Sequence, residues 1–264
     1  MSSKRSYKGI SATGLKEFLD EKADLYNRPS FIELDPISIP HRFTGREDIE
    51  ISGFLAATIA WGRRDLILRS SNKLMSAMGD SPHEFIVAAG EQELERFSGF
   101  VHRTFNDRDC MTFIRGLKKI YTSYNSMEDV IVEGMNGNDS LREGLSYFRK
   151  TFLTIDHEKR SEKHFADVMS GAAGKRLFMF LRWMVRDDNR GVDFGIWKRI
   201  PTSDLFIPLD LHSGNTARSL GLLNRKQNDF KAVEELTSVL RRFDPDDPVK
   251  YDFALFGLGV SEKF

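Results

Sequence analysis

The chain has 264 residues, and its 39 Lys and Arg balance 39 Asp and Glu to a formal net charge of zero. A hydrophobic share of 40% with 11% aromatics is enough for a packed core and excludes a disordered chain. One cysteine, Cys110, excludes an internal disulfide and a four-cysteine zinc or iron–sulfur site, and no apolar run approaches the roughly 18 residues of a membrane span.

The beginning of the chain is basic but lacks the apolar stretch of a secretory signal, which together with the single cysteine leads us to expect the reducing cytoplasm. The first element is an amphipathic helix in LKEFLDEKADLY, with Leu15, Phe18, Leu19 and Leu25 near one face. Residues 27–46 contain Pro29, Pro36 and Pro40 and read as an extended loop over the surface. IEISGFLAATIAW is apolar on nearly all sides, as a buried central helix requires, and Gly62 breaks it. An amphipathic helix over 64–79 follows. Ser81-Pro82 then supplies a cap and a first-turn proline for the next helix.

The middle of the chain repeats this style. RDCMTFIRGLKKIYTSY has helical periodicity, with Cys110 as inert packing. Ser126 with Asp129, and Ser140 with Glu143, read as capping boxes. The polar stretch 155–163 reads as a boundary between two lobes, approximately 47–155 and 160–264. Residues 1–46 would pack back on the C-terminal lobe or lie on the surface. A helix is expected through His164–Met169, a second from Lys175, a long connection over 187–209, and further helices near 211–221, 229–242 and after Asp247-Pro248. Strand signals are scarce, so the expected fold class is all-α, a single unit with two helical lobes flanking a cleft.

Two segments carry the chemistry. In the first, Ser170-Gly171-Ala172-Ala173-Gly174-Lys175 reads as a tight hairpin that aims backbone N–H groups outward at the start of a helix, a nest suited to one phosphate. Arg176, Arg182 and Arg186 recur on that helix and are candidate phosphate contacts. The same residues also fit a helix stop followed by a basic, solvated helix. In the second segment, Asp210 reads as the cap of a helix that ends at Gly221. His212 lies two residues on, but two ligands alone do not make a metal site. The window 163–226 holds 11 Lys and Arg against 6 Asp and Glu, so the neutral chain is expected to carry a local basic surface around the hairpin.

These segments resemble the helix-hairpin-helix base-excision DNA glycosylases. Gly171 and Lys175 keep the Gly-to-Lys spacing of that family's hairpin, and IPLDLHSGNTARSLGLL is similar to the segment with its Asp and His and the Arg-x-x-x-Leu-Gly-Leu after it. DPVKYDFALFGLGV is similar to its closing helix, and IEISGFLAATIAWGRRDLILRSSNKL to its first core helices. Over its whole length the chain is also similar to an uncharacterised bacterial family, frequent in Bacteroidetes, at the edge of this superfamily. Two departures stand out. Ala173 occupies the place of the second hairpin glycine, with Gly174 one residue late. The stretch from Lys175 to Asp210 is long, as in the archaeal branch that removes oxidised guanine.

The resemblance implies a DNA-repair N-glycosylase that is also an abasic-site lyase, excising a damaged base such as an oxidised purine. Lys175 would attack the sugar and form a Schiff base, and Asp210 would stabilise the positive charge that develops there. Gly171, Ala172, Ala173, Gly174, Arg176, Arg182 and Arg218 would hold DNA. Trp197, His212 and Trp61 would line the pocket for the base, which must leave the stack to be reached. The expected partner is double-stranded DNA with a damaged base, bound by a monomer with no cofactor and no membrane. The alternatives are a helix-hairpin-helix nucleic-acid-binding protein without catalysis, and a scaffold that binds a nucleoside-like small molecule.

Overall fold

Helices begin where a side chain can accept the first unsatisfied N–H groups. In the computed structural model, which describes residues 11–137 and 140–262, Ser11 accepts from Gly14 N at 3.1 Å, Ser126 from Asp129 N at 3.1 Å, Ser140 from Glu143 N at 3.4 Å and Asp229 from Ala232 N at 3.1 Å. Asn106 and Asp109 form a reciprocal capping box. Ser81 makes no such bond, and the fixed backbone of Pro82 opens that helix instead. The chain is mostly helical, and the strands among the described residues are Val101–His102 and Phe105–Asn106, paired antiparallel.

The chain divides into two compact units. One takes the chain up to Phe31 and again from Ser170 onward, and the other runs from Ile32 to Met169. The Ile32–Met169 unit is built around the buried Arg46–Thr58 helix. Phe54 on this helix meets the rings of Phe113, Phe148, Phe152 and Phe165 at centroid distances of 5.6–5.9 Å. Glu50 is buried beside them, accepting from Tyr121 Oη at 2.8 Å and Met127 N at 3.0 Å and pairing with Arg46. Cys110 is buried here, and burial raises its thiol pKa, which keeps it unreactive.

Two expectations need correction. Residues 27–46 are not an extended surface loop. Three 3₁₀ turns, Pro29–Leu34, Pro36–Ser38 and Pro40–Arg42, each open on a proline, and Ile37 and Ile39 are buried. Asp35 holds the second turn by accepting from Ile37 N at 3.1 Å. No α-helix runs through His164–Met169. A 3₁₀ turn, Lys159–His164, gives way to turns, and Asp167 accepts from Met169 N at 3.1 Å in place of a helical bond.

The other unit holds the helices Ala12–Tyr26, Lys175–Val185, Leu211–Ser219, Phe230–Phe243 and Tyr251–Ser261. The first and last of these pack closely, with the Tyr26 ring over Gly257 and Tyr251 Oη donating to Asp20 at 2.9 Å. Among the described residues, no helix is long and apolar enough to cross a membrane.

Candidate active site

The Lys175–Val185 helix starts at an unusual cap. Gly174 sits at φ 60°, a left-handed conformation that costs a residue with a side chain roughly 1–2 kcal/mol, and Gly171 sits at φ 96°. Here Gly174, one place beyond the expected second glycine, makes the sharp entry. The helix then opens with Lys175 and Arg176 and has no acid in its first turn. This runs against the preference of a helix N-terminus for negative charge, so stability alone does not explain the two cations.

Asp210 caps the Leu211–Ser219 helix in the same unit. Its Oδ1 accepts from Ser213 N at 2.9 Å, and Ser213 Oγ reaches back to Asp210 N at 2.9 Å. The other oxygen, Oδ2, lies 3.6 Å from Lys175 Nζ, and both side chains retain partial solvent access. Two residues 35 positions apart in the sequence thus share one site. Each stands at the N-terminal end of its helix.

Behind this pair lies a network that the sequence did not reveal. Arg182, two helical turns beyond Lys175 and only 3% exposed, pairs with Asp193 at 3.2 Å and with Asp252, and its guanidinium lies 4.2 Å from the centroid of Phe253. Arg186, one turn further, pairs with Asp188, Asp193 and Asp247 at 2.9–3.1 Å. Asp252 sits in the first turn of the closing helix, and burial, with Asp210 and Asp193 adding repulsion, pushes its pKa up to about 6 against the opposing pull of Arg182 and Lys175. One signal was readable. Arg182 falls on, and Arg186 directly follows, a helix that is otherwise apolar and buried from Leu177 onward, and buried arginines require carboxylate partners. Which aspartates would answer was not readable.

The remaining expected site residues divide. Arg182, expected as a phosphate contact, is instead buried, and its ion pairs hold it inside the unit. Arg186 is corrected in the same way. Arg176 is half-buried, and burial lowers its pKa to about 10, so it is a cation at neutral pH. Arg218 donates to Arg225 O at 2.8 Å and to Asn228 Oδ1 at 2.6 Å, bracing the turn after its own helix. Gly171, Ala172 and Ala173 are half-exposed and Gly174 is buried, and Gly171 O accepts from Phe230 N at 3.0 Å.

Trp197 is 1% exposed and meets Phe180 edge-on at 5.4 Å, so it is core rather than pocket wall. The reason is local. Phe194 N and Trp197 N donate to Trp183 O and Met184 O at 2.8 and 2.9 Å, which draws the long connection against the helix. His212 is exposed on the helix that Asp210 caps. Trp61 lies in the Ile32–Met169 unit, stacked on His164 at 5.7 Å and edge-on to His102 at 5.2 Å.

The expected basic surface is also reduced. Arg182 pairs with Asp252, Arg186 with Asp247, Arg190 with Asp24 and Arg225 with Asp229, all acids outside 163–226, so much of the positive surplus of that window is neutralised. Among the described residues, no group of three or more His, Cys, Asp or Glu side chains forms a metal site.

A family model described as "Protein of unknown function (DUF2400)" matches residues 35–261. The chain belongs to this DUF2400 family. No curated protein and no solved structure matches it. The DUF2400 match covers Lys175, Asp210 and the whole buried network behind them.

Proposed function

We propose that this protein is a DNA N-glycosylase with abasic-site lyase activity, acting on a damaged base such as an oxidised purine. The observation that carries this reading is the 3.6 Å approach of Lys175 Nζ to Asp210 Oδ2 at the N-terminal ends of two helices. Breaking a glycosidic bond sends its electron pair to the departing base and leaves positive charge on the sugar. A fixed carboxylate beside that sugar stabilises the charge without having to reorganise. The geometry suits Asp210 to this role, because the cap bonds occupy Oδ1 and leave Oδ2 toward the lysine. Lys175, once its ammonium has given up a proton, adds as the free amine to the anomeric carbon. The bond from that carbon to the ring oxygen then breaks, and the two amine protons pass to the departing base and the ring oxygen to leave an imine. The half-exposed turn before Lys175 supplies backbone N–H groups suited to a neighbouring phosphate.

Borohydride tests the imine directly, since it reduces an imine to a stable amine and leaves the protein covalently attached to DNA. With an abasic-site duplex the wild type is expected to trap, and Lys175→Gln to trap nothing while still binding. Asp210→Asn, which keeps a capping side chain, is expected to lose excision of a lesion substrate by roughly 100-fold or more. Binding without an adduct would favour a non-catalytic nucleic-acid-binding protein. Neither binding nor adduct would leave a pocket for a nucleoside-like small molecule as the better reading.

A further inference from the structure

The Lys175–Asp210 pair does not stand alone in its unit. Lys175 and Arg182 are seven residues apart on one helix, which puts them on the same face about two turns apart. Each carries a carboxylate from another element. Asp210 from the start of Leu211–Ser219 lies at Lys175, and Asp252 from the start of Tyr251–Ser261 lies at Arg182. The two carboxylate-bearing helices pack tightly against one another. A Cβ on Gly259 would lie 3.0 Å from Thr216 Oγ1 and 3.2 Å from His212 O, so neither helix shifts easily relative to the other.

We propose that Asp252 is a positioning residue of the Lys175–Asp210 site. Its carboxylate, anchored on Arg182, sets how strongly the site holds positive charge at Lys175. This inference rests on the lysine-dependent reading for its activity test, but its physical content, a charge coupling among three side chains, is independent of it.

Several further observations support the assignment. Asp252 is buried at 8% exposure, and that burial pushes its pKa up to about 6. The charged groups that act on it are Arg182 and Lys175 from one helix, Asp193 from the long connection and Asp210 from the next helix. Other charged groups around the closing helix are engaged elsewhere. Asp20 from the first helix pairs with Lys250 and accepts from Tyr251, Lys22 pairs with Glu262, and Asp247 pairs with Arg186. His212 is exposed on the helix that packs against it. An ionised Asp252 favours positive charge at Lys175, which holds back the free amine but supports the iminium and the developing sugar cation. A protonated Asp252 removes both effects. By reciprocity, whatever Asp252 does to the charge at Lys175, Lys175 and Asp210 must do to the proton on Asp252.

The reciprocal measurement is a carbon-13 NMR titration of the Asp252 carboxyl, assigned through its own backbone connectivities, in the wild type, Lys175→Met and Asp210→Asn. The expected midpoint is about 6 in the wild type, higher in Lys175→Met and lower in Asp210→Asn. A midpoint that neither substitution moves overturns the proposal, whatever the activity. The second arm is borohydride trapping on abasic DNA against pH. Trapping depends on the free amine of Lys175 in every variant, so the readout is the rate of Asp252→Asn relative to the wild type. That ratio is expected to lie near one below about pH 6, where the wild-type carboxyl is neutral like the amide, and to depart from one above it. A ratio that stays flat across this range in a folded Asp252→Asn variant overturns the role. If the wild type traps nothing, the lyase reading fails, and the titration alone decides the coupling. If Asp252→Asn does not fold, the titration of the other three proteins likewise decides.

Discussion

Asp252 makes the clearest case at the scale of one residue, because its raised pKa has a consequence for stability opposite to that of most acids. A carboxyl at about 6 in the folded chain and near the ordinary 3.8 in the unfolded chain binds its proton more tightly when folded. Between those values the native state holds the proton and the unfolded state does not, so stability falls as pH rises across that window. The full loss, complete above pH 6, is about 3 kcal/mol at most. Asn at this position has no proton to lose. The difference in unfolding free energy between Asp252→Asn and the wild type, measured in urea at a series of pH values, is therefore expected to shift in favour of Asn from about pH 4 to about pH 6. A difference that stays flat across that range would show that the carboxyl titrates normally.

The same scale explains what the sequence revealed of the site. Lys175 and Asp210 were legible because each sits at a helix start that local residues announce, glycines before one and Pro208 before the other. Arg182 was misread as a phosphate contact because its type is visible in the sequence and its direction is not. Its partners lie 11 and 70 residues away, and no local pattern connects them. Trp197 failed similarly, since a tryptophan in a glycine-containing connection looks exposed until backbone hydrogen bonds pin the connection to a helix.

Among the elements, the helices were legible wherever apolar residues recur at helical spacing and a capping side chain precedes them. The Asp107–Ser123 helix and the Phe230–Phe243 helix both follow this rule. The 3₁₀ turns of 29–42 were not legible, because turns of three to six residues are too short to show a period and closely spaced prolines look the same in an extended loop. Close helix packing is also invisible in sequence until it is seen which glycines face a partner. Gly144 on Leu141–Phe152 is one, since a Cβ there would lie 2.5 Å from the carbonyl oxygen of Ile131 on the neighbouring Met127–Met135 helix. Alanine is the better helix former by about 1 kcal/mol, but a backbone oxygen cannot rotate away. Gly144→Ala is expected to destabilise by roughly 1–3 kcal/mol, read as a lower urea midpoint with an unchanged slope. A gain in stability would mean that the two helices separate without cost.

For the whole molecule, the decisive fact is that one unit is assembled from two distant stretches of chain while the other is continuous. Charge balance at this scale also misled, because the surplus of 163–226 is spent largely on ion pairs with Asp24, Asp229, Asp247 and Asp252, acids of the same unit that lie outside that window. The Ala12–Tyr26 helix supplies the Tyr26 ring over Gly257 and the Asp20 partner of Tyr251 and Lys250. Deleting residues 12–26 is therefore expected to lower hydrogen-exchange protection in Tyr251–Ser261 and Leu211–Ser219 far more than in Arg46–Thr58. Equal losses in all three would show that the two units unfold as one.

The divided unit also fixes an order of events on the ribosome. Residues 32–169 can collapse on their own core as soon as they emerge, since every stretch they need is already made. The Ala12–Tyr26 helix, synthesised first, must wait for Tyr251–Ser261, more than 200 residues later. At about 5–20 residues per second that wait is on the order of ten to fifty seconds. During it, the apolar face formed by Leu19 and Ala23 lacks its final neighbours, so a nascent chain stalled before residue 251 should be a better chaperone client than one stalled before residue 32.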